Sequence, residues 1–227
     1  MLVKIPHLLS KEEVKHCCQL LQQADWQDGN ATSGVQAAQA KHNLQVPQSC
    51  PQAVEAGEMI LRALGRNNIF NAAAQPLRVF PPLFNRYDAG MGFGTHVDNA
   101  IRYVSEIRQR IRTDVSSTLF LSEPDSYDGG ELVIEDTYGE QRVKLDAGDL
   151  VLYPSDSLHR VEPITRGSRW ASFFWTQSMV RDDGDRELLY RLDRSITLTR
   201  QALGDKHAAV LGLTASYHNL LRKWADI

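Results

Sequence analysis

The sequence predicts a mainly β core of the jelly-roll kind, flanked by α-helices on its N-terminal and C-terminal sides. Short segments rich in aromatic and β-branched residues follow one another between residues 77 and 176. Glycine-containing turns separate these segments, and no helical segment alternates with them. This pattern favours an antiparallel sandwich or barrel over a parallel α/β sheet. Helical periodicity appears only before and after this region.

Two helices are predicted before the β core. Ser10 and Glu13 form an S-x-x-E capping box, which is typical of a helix start. The residues that follow it at helical spacing are Val14, Cys17, Cys18 and Leu21. A second helix is predicted over residues 51–64 and ends at the run 65–68. Its apolar residues are Val54, Met59, Ile60 and Leu64.

The polar segment 28–48, between these two helices, has little periodicity. One interpretation is a surface loop, and the other is a lid that closes over an active site. Both interpretations stay open on the sequence alone.

The strand candidates of the predicted core are short and closely spaced. They are residues 77–80, 83–87, 115–121, 131–135, 142–145, 150–153 and 169–176. Gly129-Gly130 and Gly148 supply turns between them.

The chain is predicted to have three parts. Residues 1–77 form a helical and loop region that packs on the core, residues 78–178 form the jelly-roll domain, and residues 179–227 form a C-terminal helical extension. The extension has two apolar stripes at helical spacing. They consist of Leu188, Leu189, Leu192 and Ile196, and of Val210, Leu211, Leu213, Tyr217, Leu220, Leu221 and Trp224. The extension packs either on the sheet or on a second copy of the chain, so a homodimer through these helices is an open alternative.

Composition narrows the functional classes. The net charge of −3 argues against a broad nucleic-acid interface. No segment approaches the roughly 18 apolar residues of a membrane-spanning helix, and none resembles a secretion signal. Cys17, Cys18 and Cys50 match neither a disulfide framework nor a zinc pattern, so we expect a cytoplasmic location.

A candidate metal site begins at His96-Val97-Asp98. In an extended segment residues i and i+2 point to the same side, so both side chains can reach one ion. His159 lies downstream, after the strand candidate that leads to Pro154, and an antiparallel jelly roll can bring it beside the first pair. Two imidazoles and one carboxylate form the facial triad that suits non-haem iron(II). The remaining histidines lack such a pattern and are interpreted as surface or core residues; they are His7, His16, His42, His207 and His218.

Arg169 lies ten residues after His159 and opens a largely apolar strand candidate. Burial of its charge requires an anionic partner. A guanidinium binds a carboxylate in a bidentate manner, and the far carboxylate of 2-oxoglutarate is one such partner. An internal salt bridge to an Asp or Glu side chain is the alternative.

The ordered motifs resemble those of the iron(II)- and 2-oxoglutarate-dependent dioxygenases of prolyl 4-hydroxylase type, and more narrowly the bacterial PKHD-type hydroxylases. The matching runs are 85–87 (NRY), 92–98 (GFGTHVD), 129–132 (GGEL), 159–161 (HRV) and 169–172 (RWAS). The motif-bearing core spans about residues 78–178, and the helical tail resembles the C-terminal extension of that subfamily. The animal prolyl hydroxylases generally use lysine where Arg169 stands.

The resemblance implies iron ligands at His96, Asp98 and His159, with Arg169 as the anchor of 2-oxoglutarate. It implies a double-stranded β-helix fold, O2 as the other co-substrate and ascorbate as the agent that keeps iron reduced. Tyr87 then either hydrogen-bonds the co-substrate or serves as a buried core aromatic. The implied reaction hydroxylates a substrate, prolyl or peptidyl by the family label, and converts 2-oxoglutarate to succinate and CO2.

Two other functions stay open at this point. One is a dioxygenase that uses the same triad without 2-oxoglutarate, although Arg169 argues against it. The other is a non-catalytic sensor of iron or 2-oxoglutarate on the same scaffold. The substrate is not identified by the sequence. A group of arginines either meets an acidic substrate or forms a solvated charged face; they are Arg102, Arg108, Arg110 and Arg112.

Overall fold

Two antiparallel sheets face each other in the computed structural model of the chain, which describes residues 1–29, 41–104 and 108–227. The strands, in chain order, are β1 (Val3–Ile5), β2 (Gln27–Asp28), β3 (Lys41–His42), β4 (Leu44–Gln45), β5 (Pro76–Val79), β6 (Leu83–Asp88), β7 (Gly92–His96), β8 (Ile101–Val104), β9 (Gln109–Arg112), β10 (Val115–Phe120), β11 (Asp128–Gly129), β12 (Leu132–Asp136), β13 (Gly139–Val143), β14 (Leu150–Pro154), β15 (His159–Val161), β16 (Ile164–Arg166) and β17 (Ser168–Ser178). The helices are α1 (Lys11–Gln22), α2 (Pro51–Arg66), α3 (Asn68–Ala74), α4 (Asp183–Leu203) and α5 (Ala208–Trp224).

The larger sheet has the strand order β1-β14-β10-β17-β6-β4-β2, with β5 beside β17. The smaller sheet has the order β13-β12-β15-β7-β3. Within the described residues, β8 pairs with β9 and β11 pairs with β16 to form two small ribbons. The antiparallel pairing and the non-sequential strand order confirm the predicted jelly-roll core with flanking helices.

The two faces of the larger sheet have different partners. On β10, Val115 and Leu119 belong to a core that also contains the buried residues of α1, α2 and α3. Phe120 belongs to a second core between the sheets, together with Leu132 and Val151. Because side chains alternate across a strand and both faces are covered, every residue of β10 is buried. The helices therefore hold the outer face of the sheet, and the inner face is left for the site.

The capping box predicted at Ser10 and Glu13 is confirmed. The Ser10 hydroxyl accepts a hydrogen bond from the Glu13 amide, and the Glu13 carboxylate accepts one from the Ser10 amide. The helix that follows buries Val14, Cys17 and Leu21.

Helix α2 ends at Arg66, as predicted, but the assignment of its apolar face was partly wrong. Val54 is 47% exposed, whereas Ile60 and Leu64 are buried with a row of small residues. Those small residues are Ala53, Ala56, Gly57 and Ala63. Alanine and glycine let the helix lie close to the sheet, so the buried stripe contains fewer large side chains than expected.

Some elements were not predicted. The Asn67 side chain accepts a hydrogen bond from the Phe70 amide and so starts α3 directly after α2. The N-terminal strand β1 pairs with β14 in the larger sheet. Short strands at both ends of segment 28–48, β2 and β4, also join that sheet.

The C-terminal helices α4 and α5 pack on each other, and α4 also packs on α3. Leu189, Ile196 and Val210 are buried, whereas Leu188 and Leu211 are exposed. Among the described residues, no helix combines the length and the apolar character that a membrane span requires.

We predict that Ile60→Ala destabilises the protein, because it leaves a cavity between α2 and the larger sheet. The free energy of unfolding should fall by about 2–5 kcal/mol, measured by equilibrium urea denaturation. Val54→Ala on the exposed side of the same helix is the matched control and should change it by less than about 0.5 kcal/mol. Equal losses in the two variants would contradict this packing.

Candidate metal and co-substrate site

His96 and His159 face each other across two neighbouring strands of the smaller sheet. His96 ends β7, His159 begins β15, and the two residues are paired in register. Their ring centroids lie 4.2 Å apart. His159 therefore has a strand of its own, whereas the sequence suggested only a position following the strand that ends at Pro154.

Asp98 completes the cluster from the turn after β7. His96, Asp98 and His159 each offer one ligand atom, and these three atoms lie within 4.8 Å of one another. Nε2 of His159 is 3.7 Å from Oδ2 of Asp98. The three side chains predicted as a triad thus surround one point, with the two nitrogens and one oxygen that suit non-haem iron(II).

Backbone carbonyls orient both imidazoles. Nδ1 of His96 lies 2.8 Å from the Gly94 carbonyl oxygen, and Nδ1 of His159 lies 3.0 Å from the Ser157 carbonyl oxygen. A carbonyl only accepts hydrogen bonds, so Nδ1 carries the proton in each ring and Nε2 keeps its lone pair. This second contact is the usual way in which a metal-binding histidine is held.

The surroundings favour the neutral imidazole at His96. Burial, and after it the neighbouring His159, lower the pKa of His96 to about 4. The Phe93 ring stacks on the His96 ring at 3.6 Å between centroids. A neutral imidazole is the form that binds a metal ion, so His96 is ready as a ligand at neutral pH.

One hydroxyl group is hydrogen-bonded to the carboxylate of Asp98, and a second hydroxyl group supports the first. Ser116 Oγ donates a hydrogen bond of 2.6 Å to Oδ2 of Asp98. Ser155 Oγ lies 2.8 Å from Ser116 Oγ. A hydroxyl has one proton, and that of Ser116 is used for Asp98, so Ser155 is the donor to Ser116. Neither serine was predicted as part of the site. The polar alternation in residues 115–121 was the available signal, since it puts Ser116 on the inner face.

Arg169 lies on the inner face of the larger sheet and is 1% exposed. No described residue forms a hydrogen bond with its Nε or Nη1 atom. Within the described part of the chain, no carboxylate lies within ion-pair distance, so the alternative of an internal salt bridge is not found there. The guanidinium lies 5.1 Å from the Phe120 ring and 5.6 Å from the Tyr87 ring. Its unused donors fit a carboxylate ligand.

Tyr87 is the cross-strand partner of Arg169 and is 1% exposed. It belongs to the core between the sheets and also lines a cleft that contains Arg169 and the two histidines. Burial raises the pKa of its phenol, so the hydroxyl stays protonated and available as a donor.

Gly130 leaves space beside the arginine. Its backbone has a φ of +68°, and a Cβ there would lie 3.1 Å from Cδ of Arg169 and 2.3 Å from Cδ1 of Ile164. A larger residue would be strained and would push into the space that the arginine stem uses.

One cleft with about 760 Å³ of empty space joins the metal cluster to Arg169 and Tyr87. Lys41, Asn43 and Gln45 also line it, which links segment 28–48 to the site. Lys41 lies in β3 of the smaller sheet and Gln45 in β4 of the larger sheet, so this part of the segment bridges the sheets as a wall. Residues 30–40, on which the lid interpretation also depends, lie outside the described residues.

The four arginines between residues 102 and 112 have different surroundings in the structure. Arg102 lines the cleft. Arg112 forms two hydrogen bonds with the Asp114 carboxylate, and Arg108 and Arg110 are exposed. Of these four arginines, Arg108 and Arg110 therefore fit a solvated charged face.

Comparison with known proteins identifies the family. The model of the 2OG-Fe(II) oxygenase superfamily matches residues 82–177, and that of the PKHD-type hydroxylase C-terminal domain matches residues 183–226. A PKHD-type hydroxylase of Gluconobacter oxydans is 66% identical over the whole of both chains, and one of Methylobacterium nodulans is 60% identical over the whole of both. The chain belongs to the PKHD-type hydroxylase family. It is a 2-oxoglutarate-dependent dioxygenase, and the family's cofactor is iron(II).

Solved structures share the fold at low identity. A prolyl-4-hydroxylase of Pseudomonas putida has a TM-score of 0.53 and 20% identity, covering 78% of this chain and 92% of that one. A prolyl hydroxylase of Trichoplax adhaerens, in complex with a peptide fragment of a hypoxia inducible factor, has a TM-score of 0.56 and 15% identity, covering 82% and 86%. HygX of Streptomyces hygroscopicus, with nickel and 2-oxoglutarate bound, has a TM-score of 0.53 and 14% identity, covering 78% and 82%.

We predict that Ser116→Ala weakens iron binding by about 10- to 100-fold, because the Asp98 carboxylate loses the donor that orients it. Equilibrium dialysis with iron(II) under anaerobic conditions measures this affinity. Ser172→Ala is the control, since this serine is equally buried and its Oγ has no hydrogen-bond partner. An unchanged iron affinity in Ser116→Ala would show that Asp98 needs no such support.

Proposed function

We propose that His96, Asp98 and His159 bind one iron(II) ion and that Arg169 binds the far carboxylate of 2-oxoglutarate. The enzyme then hydroxylates a C–H bond of its substrate and converts 2-oxoglutarate and O2 to succinate and CO2. One observation carries this proposal: a buried guanidinium that has no acidic partner among the described residues shares one cleft with a two-histidine, one-carboxylate cluster.

The donor set and its supports fit a single iron(II) ion. When bound, iron supplies the activation of O2 and the oxidising power of the reaction. The protein's own contribution is to keep Nε2 of both histidines unprotonated, through the carbonyls of Gly94 and Ser157. Three protein ligands leave the remaining coordination positions open for the co-substrate and O2.

Arg169 fixes the other end of the co-substrate. Its flanking rings, Tyr87 and Phe120, exclude water from the guanidinium, and exclusion of water strengthens an ion pair with a carboxylate. The protonated Tyr87 phenol is placed beside the same pocket and donates a hydrogen bond to the co-substrate in this proposal.

The primary substrate in our proposal is a prolyl or other peptidyl group. It is supported by the prolyl hydroxylases among the solved structures of the same fold. Ascorbate, in this proposal, keeps the iron in its reduced state between turnovers. A cytoplasmic location agrees with the three free thiols of Cys17, Cys18 and Cys50.

Anaerobic titration tests the metal and co-substrate roles. Addition of iron(II) and then 2-oxoglutarate should produce the weak visible charge-transfer band of the chelated complex. His96→Ala should abolish the band, because a ligand is lost. Arg169→Met should raise the 2-oxoglutarate concentration needed for half of the band by about 10- to 100-fold, which is the effect of one or two charge-assisted hydrogen bonds.

His42→Ala is the matched control for His96→Ala, because His42 is an exposed imidazole on the neighbouring strand β3. It should leave the band unchanged. Bound iron without a band would remove 2-oxoglutarate from the proposal, and failure to bind iron would overturn the proposal as a whole.

We also propose a homodimer through α4 and α5, because Leu188, Leu198 and Leu211 are each more than half exposed on these helices. Light scattering at several concentrations should show twice the mass of the chain. The double change Leu198→Glu and Leu211→Glu should give a monomer, whereas Leu61→Glu on α2 should not. A constant monomer mass in the wild-type protein would exclude the dimer.

A further inference from the structure

Two basic side chains, Lys41 and Arg102, line the same cleft without a role in the proposed binding of iron or 2-oxoglutarate. Lys41 comes from β3 and Arg102 from the β8–β9 ribbon. Both line the cleft together with Asp98, and Lys41 Nζ lies over the Phe93 ring, which stacks on the His96 ring. They are therefore near the metal end of the cleft.

Both side chains are packed rather than free in solvent. Lys41 is 8% exposed, its Nζ donates a 2.7 Å hydrogen bond to the Gly29 carbonyl, and it lies 5.6 Å from the Phe93 ring. The guanidinium of Arg102 lies 4.0 Å from the Trp175 ring and 5.3 Å from the Phe80 ring. Stacking on an aromatic face leaves the planar edge of a guanidinium as its hydrogen-bonding side.

The charges of the loaded site are balanced without this pair. The positive charges of iron(II) and Arg169 are matched by the negative charges of Asp98 and the 2-oxoglutarate dianion. Lys41 and Arg102 add two basic groups to the lining of the same cleft, and the carboxylates of Asp28 and Asp98 both act on Lys41. Burial, and after it the positive charge of Arg102, lower the pKa of Lys41 to about 8.

The cleft also contains buried polar atoms that have no hydrogen-bond partner among residues 1–29, 41–104 and 108–227. The guanidinium of Arg102 lies over the ring of Trp175, which is 4% exposed. Nε1 of this Trp175 is a hydrogen-bond donor without an acceptor. Oδ1 of Asn85 is an acceptor without a donor, and Asn85 is 8% exposed. Unpaired buried groups of this kind cost free energy unless a ligand satisfies them.

We propose that Lys41 and Arg102 bind an anionic group of the primary substrate, a carboxylate or a phosphate, and so hold the substrate beside the metal. This inference rests on the proposed function of the metal site. The anion accepts hydrogen bonds from Arg102 and from the indole N–H of Trp175, and Lys41 contributes its positive charge. Asn85 accepts a hydrogen bond from an amide N–H of the same substrate.

Matched peptides test the anion site on the complete complex with iron(II) and 2-oxoglutarate, without O2. Three blocked peptides of equal length contain proline and differ at one neighbouring position, which is glutamine, glutamate or phosphoserine. Isothermal titration calorimetry measures their dissociation constants, and the visible band shows that the metal and co-substrate are in place. We expect at least one acidic peptide to bind about tenfold more tightly than the glutamine peptide.

The preferred acidic peptide distinguishes the source of the anion, a carboxylate or a phosphate. Lys41→Met and Arg102→Met should each reduce the preference to about threefold or less, with the band retained. Arg110→Met is the control, because Arg110 is exposed on the same ribbon and does not line the cleft; it should keep the full preference.

Equal binding of the acidic and neutral peptides, or no binding of any, would overturn the anion site while the band is present. Loss of the band in Lys41→Met or Arg102→Met would assign that residue to the co-substrate instead. Absence of the band in the wild-type protein would remove the proposed function on which the anion site rests.

Discussion

The burial of Arg169, which has no acidic partner in the part of the chain that the structure describes, is the constraint on which the rest of the site depends. A lone buried charge costs several kcal/mol, roughly, even after relaxation of its surroundings. Aromatic faces at Tyr87 and Phe120 offset only part of that cost. The remainder is available to a ligand, because a carboxylate that satisfies the guanidinium stabilises the folded chain as it binds. In the proposed function, binding of the co-substrate at Arg169 and stability of the core are therefore coupled.

The two sheets divide the chemistry between them. His96 and His159 are on the smaller sheet, and Arg169 is on the larger one. Facing sheets pack roughly 10 Å apart, so a short dicarboxylate can reach from the metal cluster to the guanidinium only if this spacing is fixed. Helices α1 to α3 pack on the outer face of the larger sheet and keep it in place. Residues far from the cleft thus contribute to the distance between the two binding points.

Local patterns predicted much of this structure, and long-range pairing explains most of what they missed. The capping box at Ser10 and the i, i+2 spacing of His96 and Asp98 depend on neighbours in the sequence, so both were visible. The register that sets His159 opposite His96 depends on strands 63 residues apart. Support of Asp98 by Ser116 joins residues that are 18 apart, and the alternation that puts Ser116 on the inner face does not show which side chain it meets. The candidate ligands therefore had a local signal in the sequence, whereas the contacts that support them had none.

The position of Lys41 and Arg102 in the fold suggests how one chemistry is adapted to different substrates. His96, His159 and Arg169 lie on strands inside the two sheets, and Asp98 directly follows one of them, so a change of side chain there disturbs the core. Lys41 lies on β3, at the edge of the smaller sheet, and Arg102 on a two-stranded ribbon outside both sheets. Substitutions at such peripheral elements change the charge of the cleft while β7, β15 and β17 stay as they are. Substrate recognition can then vary without loss of the oxygenase site, because the two depend on separate parts of the structure.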